Sequence, residues 1–190
     1  NHIKEIQASR DQLEEISKKL KRKSNSHTQS IEYAKLIQER ILPRIDYFEN
    51  KFPESFIIYE PKEIIGGDFY MMMEINSRII IVSADCTGHG VPGAMLSMVG
   101  YGFIKSIIHE NRIFEPGKIL TLLNQKIRNF FGRDSEIATH GMDVSIVSFR
   151  TDAQLLEFGS SRRPIFISEG DIIIELKGDK LSIGDELADN

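Results

Sequence analysis

Apolar residues recur along this chain with two different periods. Over the first 25 residues they fall at Ile3, Ile6, Leu13, Ile16 and Leu20 among Lys, Glu, Gln and Arg, the stripe of an exposed amphipathic helix. Ile6, Leu13 and Leu20 repeat at a spacing of seven, and the register runs on through His27 to Ala34 and Ile41, with Ile16 and Ile37 on the neighbouring seam. This is a marginal coiled-coil pattern, broken near Lys23-Ser24-Asn25-Ser26. It predicts a helical linker over 1–29 that pairs two chains or relays a signal, or else packs on its own domain. A second helix is predicted over 30–42, with Ser30 as a possible N-cap and Pro43 beyond its end.

From residue 52 the period shortens to two. Phe56-Ile57-Ile58-Tyr59 reads as a strand, and 67–85 as a hairpin turning at Asn76-Ser77. A Gly-rich loop over 87–93 opens a helix over 93–109. Pro116 opens another, with Ile119, Leu120, Leu123, Ile127 and Phe130 on one face and Gly132 at its end. Strands return at 142–149, 154–158, 164–168 and 171–176, the last two joined by Ser168-Glu169-Gly170-Asp171. Strands grouped around a helical layer, without alternating βαβ units, argue for an α+β domain over 30–190.

The hairpin brings the first chemistry. Opposite residues of an antiparallel pair have a constant index sum, and a turn centred between 76 and 77 sets that sum at 153, so Asp68 faces Asp85. Their Cβ atoms would lie roughly 5 Å apart. No Lys or Arg nearby in sequence is placed to neutralise both, and a divalent metal is the simplest remedy. Carboxylates joined by the carbonyl of Cys86 form an all-oxygen set, better suited to magnesium or manganese than to zinc. Thr87 is the better cap for the following helix, which leaves Asp85 free for the metal. Cys86 is discounted as a nucleophile because no Arg-rich phosphate loop follows it.

Other residues stay open. Asp143 is either a third carboxylate at the site or a polar strand start. His89 is a general acid, a ligand of water or a structural loop residue, the last preferred. Arg162-Arg163-Pro164 could attract a phosphate, although a solvated surface is the simpler reading. Met71-Met72-Met73 reads as core and adjoining surface.

Composition narrows the classes. With 190 residues, 41% hydrophobic and 27% charged, the chain has material for one sizeable core. A net charge of −4 suggests no nucleic-acid partner. No run of about 18 apolar residues suggests a membrane span, and the N-terminus does not read as a signal peptide. The single Cys86 fits a reducing, cytoplasmic setting, with any membrane anchor lying in an upstream segment.

Gly66-Gly67-Asp68-Phe69-Tyr70 and Ala84-Asp85-Cys86-Thr87-Gly88-His89-Gly90-Val91-Pro92-Gly93-Ala94 resemble the metal-dependent serine/threonine phosphatases of the PPM type. The nearer branch is that of stage II sporulation protein E and the sigma-factor regulatory phosphatases. Ser30 to Pro43, His140-Gly141-Met142-Asp143 and Arg163-Pro164 also resemble it. The resemblance implies an αββα sandwich and a two-metal manganese or magnesium centre on Asp68, Asp85 and the Cys86 carbonyl. It implies in-line attack on a phosphoserine or phosphothreonine by water made acidic by the metals, with no covalent intermediate. The implied partners are a phosphorylated anti-sigma-factor antagonist and an upstream sensor or receiver module; the heptad pattern of the first helix adds a second copy of the chain in a homodimer.

One departure matters. The family carries further aspartates in a Thr-Asp-Gly strand end and an Asp-Asp-x-Thr strand, and neither string occurs here; Asp185, Glu186 and Asp189 lack the context to replace them. The expectation is therefore a domain short of its last strands, with weakened or absent activity. The competing reading is a catalytically inactive phosphatase-fold interaction module. A diguanylate cyclase, suggested by Gly66-Gly67-Asp68-Phe69, is rejected. Its glycine string sits on a hairpin turn, whereas here it opens a strand.

Overall fold

In the computed structural model, residues 2–132 and 141–185 are described. Helix α1 spans His2–Ile41 and the short α2 spans Ile45–Lys51. Strands β1 (Phe69–Ile75) and β2 (Arg78–Cys86) form the hairpin. Helices α3 (Gly90–His109) and α4 (Pro116–Phe131) follow, then β3 (Met142–Arg150), β4 (Leu155–Ser161), β5 (Ile165–Glu169) and β6 (Ile172–Leu176).

The first four strands form one antiparallel sheet in the order β1-β2-β3-β4, and β5-β6 form a separate hairpin. This is the expected α+β arrangement of antiparallel sheets with helices. The period-two pattern decides which side faces which layer. Phe69, Met71, Met73, Ile80, Val82, Ala84, Met142, Val144 and Ile146 point to the main core. There they meet Leu96, Ile104 and Ile107 of α3 and Ile119, Leu123 and Ile127 of α4. The opposite face carries a smaller cluster, in which Met72 and Ile79 pack with Phe48 of α2. The three methionines are thus all core. Asn76 makes the turn with φ of 55°, a conformation asparagine tolerates.

Helix α3 is long and apolar enough to cross a membrane by length and composition, although Ser97, Lys105 and Ser106 interrupt its apolar run. Its Leu96, Ile104, Ile107 and Ile108 are buried against the sheet and α4, the packing of a core helix. Gly100 lets it lie close: a Cβ there would stand 2.7 Å from Cε of Met142.

Three local expectations need correction. The helix does not break at 23–26, since α1 is continuous over 40 residues. No Gly or Pro interrupts it, Lys18–Glu14 and Lys19–Glu15 pair one turn apart, and polar side chains are absorbed along its surface. Ser30 is therefore no N-cap; its hydroxyl donates to the Ser26 carbonyl at 3.0 Å. Phe56–Tyr59 forms no strand. The segment runs unpaired past the sheet, with Ile57 on the small cluster and Phe56 and Ile58 exposed.

After β6 the chain turns back. Met142 and Ile183 exchange backbone hydrogen bonds of 3.0 and 2.9 Å, and the Gly184 amide donates to Asn124 Oδ1 at 2.7 Å. The β5-β6 hairpin leaves Phe166, Ile172 and Ile173 exposed.

Burial predicts where substitutions hurt. Ile107 is fully buried between sheet and helices, whereas Leu13 and Leu20 are exposed at 65% and 63%. In urea titrations, Ile107→Ala is expected to remove about 2–5 kcal/mol of unfolding free energy. Leu13→Asp with Leu20→Asp is expected to cost no more than about 0.5 kcal/mol per site within a single chain.

Candidate metal centre

The β1-β2 register pairs Phe69 with Ala84 and Ile75 with Arg78. One further step puts Asp68 opposite Asp85, as the hairpin arithmetic required. Asp85 is in turn the Cα partner of Asp143 on β3, so three aspartates line up across three strands. Strand alternation places Asp85 with Ile79 and Ile81, and Asp143 with Ser145, on the face away from α3 and α4.

The row is not a three-carboxylate cage. Asp68 and Asp85 lie within hydrogen-bonding reach of each other. Asp143 is engaged elsewhere: Ser182 Oγ donates to its Oδ1, and Arg162 Nε lies 3.9 Å from its Oδ2. Among the described residues no three His, Cys, Asp or Glu side chains converge as a metal site. Burial and the neighbouring Asp85 raise the Asp68 pKa above the ordinary carboxylate value, against the opposing pull of Arg163. Tyr59, whose hydroxyl donates to the Asp68 carbonyl at 3.1 Å, has its own pKa raised by burial and then by Asp68.

Two glycines bring backbone to the same place. A Cβ on Gly67 would stand 2.9 Å from the Cys86 carbonyl oxygen, and one on Gly93 would stand 2.6 Å from the Gly88 carbonyl oxygen. Gly67, Gly88 and Gly93 thus pack main chain on main chain, with the Cys86 carbonyl beside Gly67 and next in sequence to Asp85. The Cys86 thiol points into the main core, and burial, then Asp85 and Asp68, push its pKa up. It is no nucleophile and no soft metal ligand. The donors left are two carboxylates and a carbonyl, all hard oxygens, and they fit magnesium or manganese.

The loop residues divide differently from expectation. Thr87 does not cap α3. Its amide and hydroxyl both donate to the Gly141 carbonyl, at 2.8 and 3.0 Å, and its Oγ1 accepts the Gly141 amide at 2.9 Å. It latches the entry of β3 to the exit of β2, so the strands bearing Asp85 and Asp143 end together. His89 occupies the N-cap position without a side-chain cap, and its Nδ1 meets Glu63. That contact favours the structural role over the catalytic ones. Thr139 and His140 lie outside the described residues, as do Glu186 and Asp189.

No cation lies near the pair in sequence, but the fold brings one to it. Arg163, from the turn between β4 and β5, donates through Nη2 to Asp85 Oδ2. The arginines are therefore not simply solvated surface. The signal was available: Val144 pairs with Ser161, and one more step of that register sets Arg162 opposite Asp143. Gln38 of α1 was also missed. It is buried, donates to the Gly66 carbonyl at 2.7 Å and to Ser97 Oγ at 3.0 Å, and accepts the Gly66 amide at 3.3 Å. Its amide ties α1 to the glycines before Asp68. Beside this row lies a groove of about 1010 Å³, walled by Phe52, Ile57, Tyr59 and Tyr70 and reaching Asp68 and Arg163.

Known proteins resemble this chain. A family model described as Stage II sporulation protein E (SpoIIE) matches residues 76–186. The SiaA-PP2C domain of Pseudomonas aeruginosa is similar with a TM-score of 0.75 and 31% identity, over 86% of this chain and 65% of that one. The PP2C phosphatase domain with a regulatory fragment of SpoIIE from Bacillus subtilis matches with a TM-score of 0.50 and 20% identity, over 63% of this chain and 34% of that one. The RsbU and RsbW domains of a Mycobacterium tuberculosis protein match with a TM-score of 0.51 and 13% identity, over 65% and 33%. These last two likenesses concern the fold alone, and this chain spans less than two thirds of each solved chain. No curated protein matches it.

The raised Asp68 pKa has a consequence for stability. A native-state pKa above the unfolded value means that the native state binds more protons in the intervening window. The associated stability is full below the ordinary value of 3.8 and is lost as pH rises through the raised native value. At pH 7 an ionised Asp68 therefore weighs against the fold. Asp68→Asn is expected to raise the melting temperature of the metal-free protein at pH 7 by roughly 1–3 °C. The gain should shrink toward pH 4, as measured by calorimetry across that range.

Proposed function

The chain belongs to the stage II sporulation protein E (SpoIIE) family, and from that premise we propose that it is the metal-binding part of a PPM-type protein serine/threonine phosphatase. The fold is that of a PP2C phosphatase domain. The observation that carries the proposal is the Asp68–Asp85 pair, set by the hairpin register and flanked by a carbonyl that Gly67 alone lets approach.

In this reading Asp68, Asp85 and the Cys86 carbonyl hold magnesium or manganese. When bound, such a metal pair supplies Lewis acidity, making water acidic enough to attack phosphorus at neutral pH and offsetting charge on the phosphoryl oxygens. The chain's own residues do the rest. The two carboxylates hold each other at short range only at an electrostatic cost, which a bound cation removes. Thr87 keeps the ends of β2 and β3 together, so Asp85 and Asp143 present from one edge. The groove beside Asp68 offers an apolar wall against which a peptide flanking the phosphorylated residue can lie. The proposed substrate is a phosphoserine or phosphothreonine on a small signalling protein of the anti-sigma-factor antagonist kind, and the proposed setting is cytoplasmic.

Among the described residues no third acidic side chain joins the pair, and that observation favours a second reading, a phosphatase-fold module that binds a phosphorylated partner without hydrolysing it. Manganese-dependent hydrolysis of p-nitrophenyl phosphate and of a phosphoserine protein separates the two. The comparison includes this chain, its Asp85→Ala variant, and a chain extended beyond Asn190. The phosphatase reading expects turnover that EDTA abolishes and that falls at least about 100-fold in Asp85→Ala. Folded protein with manganese present and no turnover in any form leaves the binding module.

The exposed stripe of α1 supports a second proposal, that the helix forms a seam with another copy of itself and carries the state of an upstream module toward Gln38. Leu13→Asp with Leu20→Asp is expected to lower the sedimentation coefficient from that of a dimer to that of a monomer. An unchanged value removes the seam.

A further inference from the structure

The turn that carries Arg163 is built with more care than a surface loop needs. Arg162 sits in the left-handed region with φ of 62°, a conformation that non-glycine residues adopt only when their surroundings impose it. The Arg163 amide donates to the Ser161 carbonyl at 2.8 Å. Its own carbonyl accepts two hydroxyls, from Ser145 Oγ at 3.0 Å and from Ser160 Oγ. Both serines are buried, and their hydroxyls lie 3.1 Å apart. Pro164 follows and restricts the backbone of Arg163. Ser145 shares its sheet face with Asp143 and Asp85, so this pinned arch stands directly over the carboxylate row.

The side chain it holds is partly committed. One guanidinium nitrogen, Nη2, is spent on Asp85. Among the described residues, Nε and Nη1 have no hydrogen-bond partner, and the residue borders the groove that reaches Asp68. The side chains of Arg163 and Asp85 are 43% and 45% exposed, so the pair can open without unburying a charge. A divalent cation on Asp85 competes for the same carboxylate oxygens and repels the guanidinium. The released fork then faces a groove in which the arriving anion is the phosphoryl group, whose oxygens match its planar donors.

We propose that Arg163 binds the phosphoryl group of the substrate, and that its ion pair with Asp85 is the resting position it leaves when metal occupies the site. This rests on the phosphatase reading and deepens it: one arginine serves first as countercharge to the metal-free aspartate, then as anion ligand. The two roles pull its removal in opposite directions. Without Arg163, Asp85 is free and metal binds more tightly, while phosphate binds the metal-loaded protein more weakly. A purely structural latch would move both affinities the same way, or neither.

The test is calorimetric titration of the protein with MnCl2, followed by titration of the manganese-loaded protein with inorganic phosphate. It compares the wild-type chain, Arg163→Gln and Arg163→Lys, with melting temperatures recorded for each. Arg163→Gln is expected to bind manganese several-fold more tightly and phosphate about 10-fold or more weakly. Arg163→Lys keeps the charge without the planar fork and should recover part of the phosphate affinity. It also serves as the test variant if the glutamine form does not fold. Phosphate affinity within about twofold of wild type in both variants overturns the proposal, whatever happens to manganese. Failure of the wild-type chain to bind manganese in an Asp85-dependent way overturns the phosphatase reading itself, and this proposal with it.

Discussion

Two like charges held face to face are the constraint around which this domain is arranged. The antiparallel register of β1 and β2 leaves Asp68 and Asp85 no freedom to separate, and the strands are fixed by a core on one face and a smaller cluster on the other. A site of this kind opposes its own fold, and the one countercharge the surroundings bring is Arg163, from a distant turn. Gly67 and Gly93 meanwhile let main-chain oxygens crowd in where side chains would not fit, which adds acceptors to the negative side. That surplus of oxygen acceptors is what the proposed cation would offset.

Much of this was legible before any coordinates. A two-residue turn at Asn76-Ser77 sets the register of both flanking strands, and register alone puts Asp68 against Asp85, because antiparallel partners obey a fixed sum. Helices α3 and α4 and the later strands follow from period and punctuation. The Met run and the turn at Gly170 followed from the same reasoning. What stayed hidden was long-range. Arg163 is 78 residues from Asp85 in sequence, and no local pattern shows that they meet; only extension of the β3-β4 register past Val144 and Ser161 would have done so. Phe56–Tyr59 has the composition of a strand, yet a strand needs an edge to pair with, and composition does not reveal edges. The predicted break in α1 failed for the opposite reason. Ser, Asn and His lower helix propensity only slightly, and without Gly or Pro a long helix absorbs them.

Helix α1 joins two parts of the molecule that behave differently. Its first 30 residues touch almost nothing, while its last turns are fastened by Gln38, whose amide spans the Gly66 backbone and Ser97. A buried amide with both ends occupied fixes rotation as well as position, because turning the helix would break bonds that water cannot reach to replace. The glycines that precede Asp68 are therefore referenced to the helix as firmly as to the sheet.

The backbone contact among Gly67, Gly88 and Gly93 bears on the entropy of ligand capture. A side-chain donor must surrender rotamers when it takes hold of an ion, and that loss is subtracted from affinity. The Cys86 carbonyl, as proposed ligand, has no such freedom to give up, since it is part of a chain path packed closely on Gly67. An alanine at Gly67 would need little chemistry to do harm: with its Cβ 2.9 Å from that oxygen, it would force the loop to find a new course, and the proposed carbonyl ligand would then have to be oriented anew at every binding event.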